Sequence, residues 1–230
     1  MLYLVATPIG NLGDMTYRAV QVLKTVDMVV SEDTRKTSIL LKHYEISKPQ
    51  FVFTEYNEHK VVGKLIERLL AGETIAMVTD AGSPGISDPG YLLVREALTN
   101  GIQITTLPGP TALIAALTLS GLPMHSFTFR AFPPNKEGPR KRFLKADADS
   151  PYTLVYYESP YRLEAFIANA LEIFGDRQAS IANDLTKKFE LVMRGSLSEL
   201  ARQIKEEPIR GEYCVCIAGK DAGKAIVSAD

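Results

Sequence analysis

Histidine and cysteine are scarce, with three of the former and two of the latter in 230 residues. His43, His59 and His125 stand far apart, at no spacing that sets two of them on one metal, so no metal centre is expected. Cys214 and Cys216 lie two apart in an apolar run. On a strand they share a face, which suits packing better than a disulfide or a metal site. So few cysteines fit a reducing compartment. There is no Ser-His-Asp order, no Gly-x-Ser-x-Gly turn and no G-x-x-x-x-G-K-[ST], so neither a serine hydrolase nor a Walker-type phosphate cradle has support. Long apolar runs are missing too. The longest, residues 112–119, is broken by Thr118 and falls well short of the ~20 residues of a membrane span. The opening apolar run, residues 2–6, has no basic segment before it and is too short for a signal sequence. A cytoplasmic protein with no membrane partner is the expectation. Excess charge is absent as well: the formal net charge is −1. Nucleic acid would find no global attraction, only whatever a local basic patch supplies.

What is present is the composition of a folded enzyme, with 46% hydrophobic and 23% charged residues. The length suits one large or two modest domains. In the first half, short β-rich runs alternate with amphipathic ones. Strands are predicted at 2–6, 28–31, 51–53, 74–79 and 102–107. A helix is predicted from Thr16, with Ala19, Val22, Leu23 and Val26 at helical spacing, and a short one around 39–41. Val61, Val62, Leu65, Ile66, Leu69 and Leu70 form a helical stripe that stops at Gly72. Asp88-Pro89 is read as the N-cap and first residue of a further helix ending near Gly101. Thr111 opens an Ala/Leu-rich helix. Such alternation predicts a parallel sheet with helices on both faces. After Gly121-Leu122-Pro123 the strands at 127–132, 152–157, 179–183, 189–193 and 213–217 follow one another with fewer helices between them. Helices are predicted at Ser159-Pro160 and near Ser198, and a mixed sheet is expected. The fold class is therefore α/β with two α/β domains, 1–112 and 113–230. The tail after Gly219 is expected to fray.

The unusual loops follow the predicted strands of the first half. They are Thr7-Pro8-Ile9-Gly10-Asn11-Leu12-Gly13-Asp14, Glu32-Asp33-Thr34-Arg35, the run from Asp80 to Gly90, and Pro108-Gly109-Pro110-Thr111. In a parallel sheet all four emerge at the carboxyl edge, where α/β folds bind ligands. Glycines allow close backbone approach and prolines fix loop shape. Gly10-x-x-Gly13 is not the dinucleotide fingerprint, although Glu32 lies about 20 residues on, as a ribose-binding acid would. A rim rich in backbone groups and poor in acid–base machinery suits a cofactor that carries its own leaving group. S-adenosylmethionine is one, its methyl already activated, so that positioning does most of the work.

Residues 5–14, 32–35 and the Asp80-Ala81-Gly82-Ser83-Pro84-Gly85-Ile86-Ser87-Asp88-Pro89-Gly90 loop resemble the tetrapyrrole-methylase-like superfamily of S-adenosylmethionine-dependent methyltransferases. Within it they are similar to the bacterial family that 2′-O-methylates a cytidine ribose in 16S ribosomal RNA. Pro108-Gly109-Pro110-Thr111-Ala112, Tyr157-Glu158-Ser159-Pro160 and Leu185-Thr186-Lys187 carry the likeness across nearly the whole chain, in order. The resemblance implies a cofactor folded into a cleft between two α/β domains, in a homodimer. It places cofactor contacts at Pro8, Asp80, Gly82, Ser83, Thr111, Ala112 and Leu185. Each could instead be a turn-former or helix cap, the reading preferred for Asp88 and Gly90. The chain departs from the family at Tyr161, where histidine is common, and at Asn183-Asp184, which replace an Arg-Glu pair. It also stops soon after Gly219, without the small C-terminal helical module of many members.

For the RNA partner, 16S ribosomal RNA or the small subunit, Lys136, Arg140, Lys141, Arg142 and Lys145 offer a basic loop and helix start that could grip phosphates. A solvated surface helix is the plain alternative. Glu32 and Arg35 could hold the target ribose and a phosphate, and Asp33 or Thr34 could merely cap a helix. Asp33, or a deprotonated Lys187, is the candidate base for the attacking hydroxyl. Three rivals stay open: methylation of a tetrapyrrole or other small molecule, a non-catalytic module binding S-adenosylmethionine or a nucleotide, and a nicotinamide oxidoreductase.

Overall fold

The computed structural model describes residues 1–206 and 210–222. The chain divides into two compact units, Met1–Thr111 and Ala112–Asp230.

Unit 1 contains β1 (Leu2–Val5), α1 (Tyr17–Thr25), β2 (Met28–Ser31), α2 (Thr34–His43), β3 (Gln50–Val52), α3 (Glu58–Leu70), β4 (Ile75–Val78), α4 (Tyr91–Thr99) and β5 (Ile104–Leu107). Its five strands are all parallel, in the order β3-β2-β4-β1-β5. Strand alternation divides the apolar side chains between two cores. Val5, Val29, Ala76, Val78 and Leu107 face α1 and α2 through Ala19, Leu23 and Leu41. Leu2, Met28, Val30, Ile75 and Met77 face α3 and α4 through Leu65, Ile66, Leu69, Leu93 and Ala97. Thr16 caps α1 by accepting the Ala19 N–H at 3.2 Å. Gly72, at φ +96°, turns the chain out of α3.

The start of α4 differs from the sequence expectation. Gly90, not Asp88, is the N-cap, at φ +148° and without a side-chain capping bond, so the helix begins two residues after Pro89 would have begun it. The loop folds back on itself there: a Cβ on Gly90 would lie 3.2 Å from Met77 Cε and 3.3 Å from Gly85 N. Asp88 is thereby left two residues before the cap.

Unit 2 contains α5 (Ala112–Ser120), β6 (Phe127–Phe129), α6 (Glu137–Lys145), β7 (Thr153–Glu158), α7 (Leu163–Phe174), β8 (Gln178–Asn183), β9 (Leu191–Ser196), α8 (Leu197–Gln203) and β10 (Tyr213–Ile217). The sheet is mixed, ordered β6-β7-β10-β8-β9, with β6 parallel to β7 and the other pairs antiparallel. Leu144, Phe166, Ile167, Ala170, Leu197 and Leu200 cover one face, packing on Leu154, Tyr156, Ile181, Val215 and Ile217. Cys214 and Cys216 alternate with those β10 residues and are buried free thiols.

Three boundaries move from their expected places. β6 ends at Phe129 rather than Phe132, because Ala131 takes φ +53° and leaves the strand. β9 starts at Leu191, since Phe189 is an exposed turn residue. α8 starts just after Ser196, whose hydroxyl and Glu199 form a reciprocal capping box. The tail expected to fray after Gly219 is held at its start, where Lys220 N–H donates to Ser150 O at 2.7 Å. Its remainder, residues 223–230, lies outside the described residues. No helix among the described residues is long and apolar enough to cross a membrane.

Candidate functional site

The strand order of unit 1 sets the site. β1 and β4 are neighbours, yet β1 leads to β2 through α1 on one face while β4 leads to β5 through α4 on the other. Connections that diverge from adjacent parallel strands open a crevice at the carboxyl edge, the usual ligand position in open α/β sheets. Thr7 and Gly82 bridge its base: Thr7 N–H donates to Gly82 O at 2.8 Å and Gly82 N–H returns to Thr7 O at 3.0 Å. The Thr7 hydroxyl adds a bond to Thr79 O at 2.9 Å. Gly82 holds φ +91°, which side chains rarely adopt. Loops 7–14, 80–90 and 108–111 therefore meet at one rim. Pro8 and Gly82 are buried there, and Asp80, Ser83 and Thr111 are half-buried.

A group of carboxylates gathers along the rim, and much of it is invisible in the sequence. Asp80 Oδ2 accepts from Lys36 Nζ at 2.8 Å, while its Oδ1 is buried with no hydrogen-bond partner. Burial pushes the Asp88 carboxyl up to about 6; the Thr79 hydroxyl pulls it down, and the carboxylates of Glu32, Asp80 and Glu55 add to the rise. Glu32 is raised mainly by burial, then by Asp80 and Glu55, with Lys36 opposing. Sequence reasoning found Glu32 and Asp80 but missed Lys36, Glu55 and any role for Asp88 beyond capping. The available signal was the Gly after Asp88-Pro89, since a glycine at that point can take the cap and release the aspartate.

Asp33 proves to be the cap of α2. It accepts the Arg35 N–H at 2.9 Å and the Arg35 guanidinium at 3.0 and 2.8 Å. These bonds, the side-chain bond first, hold its carboxyl down to about 2. So weak a base is poorly matched to removing a proton near neutrality. Arg35, 89% exposed in its side chain, is engaged by Asp33.

Unit 2 holds the remaining candidates. Lys187 Nζ lies 2.9 Å from Asp184 Oδ1 and 3.8 Å from Glu212 Oε2. Leu185 is buried in a turn flanked by Asp184 at φ +47° and Thr186 at φ +65°. Ala112 is the first residue of α5. The basic run is helical rather than a mobile loop, and its cations divide. Arg140, 5% exposed, donates to Asn169 Oδ1 at 2.8 Å and Asn135 O at 3.0 Å, so it is a fold residue and not a surface phosphate contact. Lys141 bridges Glu137 and Glu172 at 3.0 and 2.7 Å. Lys136, Arg142 and Lys145 are exposed. No group of His, Cys, Asp or Glu suited to a metal occurs among the described residues.

A parallel sheet with a strand-end crevice, followed by a mixed-sheet unit, defines a two-unit α/β protein whose candidate site is the rim of the first sheet. The chain belongs to the tetrapyrrole (corrin/porphyrin) methylases, the family whose profile matches residues 1–201. It is 45% identical over 225 residues to ribosomal RNA small subunit methyltransferase I of Streptococcus pyogenes serotype M1, covering 98% of this chain and 78% of that one. Two solved structures share the fold. Uroporphyrin-III C-methyl transferase from Thermus thermophilus, complexed with S-adenyl homocysteine, gives a TM-score of 0.66 at 19% identity, over 97% of this chain and 99% of that one. A diphthine synthase gives 0.71 at 14% identity, over 94% and 89%.

Proposed function

We propose that this protein transfers a methyl group from S-adenosylmethionine to the ribose 2′-hydroxyl of a cytidine in small-subunit ribosomal RNA. The observation that carries the reading is 45% identity, across 98% of the chain, to a ribosomal RNA small subunit methyltransferase. The rim fits the cofactor. A cradle closed by the Thr7–Gly82 bridge, with glycine at a φ of +91° that side chains rarely adopt, leaves backbone groups for an adenosine and a methionine tail. Asp80 brings a buried oxygen with bonding capacity to spare. Pro8, Asp80, Gly82, Ser83 and Thr111, with Ala112 after them, would hold the cofactor, which supplies an activated methyl on a positively charged sulfur. Glu32 lies on the same rim within the electrostatic reach of Asp80, as a ribose ligand should. Lys136, Arg142 and Lys145 offer the exposed charge for phosphates. A cytoplasmic homodimer is the form proposed, with assembled subunit or its RNA as partner.

The test is transfer of tritiated methyl to small ribosomal subunits from cells without the activity, followed by mapping of ribose methylation. Label in one cytidine 2′-oxygen is the expected result. Label in a tetrapyrrole offered alongside, and none in RNA, would overturn it.

A further inference from the structure

The turn that joins β8 to β9, residues 184–190, spends its polar groups on itself. Lys187 N–H donates to Asp184 O at 3.0 Å, and Lys187 Nζ donates to Asp184 Oδ1 at 2.9 Å. Glu190 Oε2 accepts the Thr186 N–H at 2.6 Å, and Glu190 N–H returns to Lys187 O at 3.2 Å. These bonds hold Asp184 and Thr186 at positive φ, which residues with side chains rarely adopt. The segment before β10 is fastened beside the turn. Asn183 Nδ2 donates to Arg210 O at 2.9 Å and to Glu212 O at 3.2 Å, and Asp184 N–H donates to Glu212 O at 3.3 Å. Gly211 lies so close to the Asp184 carboxylate that a Cβ there has no room.

This scaffold turns an aromatic ring and two cations to solvent. The Arg210 guanidinium lies 4.6 Å from the Phe189 ring centroid, and the Lys188 ammonium lies 5.5 Å from it. Among the described residues no acid pairs with either cation. Cation–π attraction accounts for the grouping. The ring is still 56% exposed, so it keeps a flat apolar face open beside a planar guanidinium. Unpaired RNA bases stack on such planes, while lysine and arginine take the adjoining phosphates. An acidic protein surface would answer the cations and leave the flat face unused.

We propose that Phe189 and Arg210 form a stacking platform for an unpaired base of the substrate RNA, with Lys188 at a neighbouring phosphate. This rests on the methyl-transfer reading above and names a contact through which unit 2 holds the RNA. Every base has a π-face, so the platform supplies affinity without reading sequence.

The chain contains no tryptophan, so Phe189→Trp puts a lone indole on the platform. A short single-stranded RNA should quench its emission, and an abasic strand of equal length, which keeps only the phosphates, should not. With small ribosomal subunits from cells without the activity, Phe189→Ala and Phe189→Leu should each raise KM by about tenfold or more, the worth of one stacked base. Phe189→Tyr should restore it. Arg210→Ala should lower the slope of log affinity against log salt by about 1, and Phe189→Ala should leave that slope in place. Equal quenching by both strands, or a normal KM in Phe189→Leu, would overturn the platform. A KM that rises for assembled subunits while RNA leaves the indole emission unchanged would assign the ring to a ribosomal protein and overturn it too. Failure of the unaltered protein to methylate RNA would instead bring down the functional reading; normal methylation with KM unmoved in Phe189→Ala brings down the platform alone.

Discussion

Gly109 is pressed against Ala6: a Cβ added to it would sit 2.8 Å from the Ala6 methyl, closer than packed carbons come. The loop after β5 thus lies directly on the end of β1, with no room for a side chain between them. Gly109→Ala should destabilise the protein by about 1–3 kcal/mol and weaken cofactor binding, because relief of the clash must push the loop off the rim. Urea unfolding together with calorimetry would check both. An alanine variant of normal stability and affinity would show that the loop yields freely.

The Asp88 carboxyl has a consequence for stability that is separate from any reaction. Its folded-state value of about 6 stands above the ordinary 3.8. Below 3.8 both folded and unfolded chains carry the proton, and nothing is lost. Between 3.8 and 6 the folded form holds the proton more tightly, so stability falls as pH rises, and the loss is complete above 6. After allowance for solvent screening the loss is about 1 kcal/mol. Asp88→Asn should therefore melt about 2–4 °C higher than the unaltered protein at pH 7.5, with no such gain at pH 3.5. Thermal scans at the two pH values decide it.

A second buried acid has one ion-pair partner, with Arg140 a further positive charge nearby. Glu158, 1% exposed, lies 2.6 Å from Arg162 and accepts the Ser159 N–H at 2.8 Å, while its other oxygen has no hydrogen-bond partner. Replacing Arg162 by Met leaves the carboxylate buried without its counter-charge and should cost about 3 kcal/mol. Arg162→Lys should also lose much of this, since Arg162 Nε bonds Ser159 Oγ at 3.0 Å while its Nη2 reaches Glu158. Denaturant midpoints of the two variants measure it.

The two arginines of α6 should behave as opposites. Arg140→Ala breaks the bond to buried Asn169 and should cost about 2 kcal/mol of stability. Arg142→Ala should leave stability intact and weaken RNA binding, lowering the slope of log affinity against log salt by about 1. Unfolding curves and binding at several salt concentrations separate the two.

Much of this molecule was legible from residue order alone. Thr16 before Ala19 and Leu23, and Gly72 after Leu69, mark helix ends through local chemistry that neighbours cannot override. Alternation of strands and helices gave the parallel sheet of unit 1. The carboxylate group was not legible, because Glu32, Glu55 and Asp80 meet only once β2, β3 and β4 lie side by side, and periodicity does not encode strand order. Arg140 was misplaced for a different reason. A run of positive charge suggests solvent, yet Arg140 lies four residues before buried Leu144, on the inward stripe of α6. Capping at Asp33 and Asp88 came out opposite ways: Asp33, a candidate base, is the cap of α2 and is held by Arg35, whereas Gly90 takes the cap of α4 expected at Asp88.

The cysteines of β10 add a property of another kind. They sit on the middle strand of the second sheet, with β7 along one edge and β8 along the other, at 3% and 0% exposure. Their thiols stand off the face opposite the main core of the unit, where α5 packs against β10, β8 and β7, so an alkylating reagent reaches them only when the cover of that face lifts. Their labelling therefore keeps time with the uncovering of that face of the second sheet, giving the chain an internal clock without any added probe.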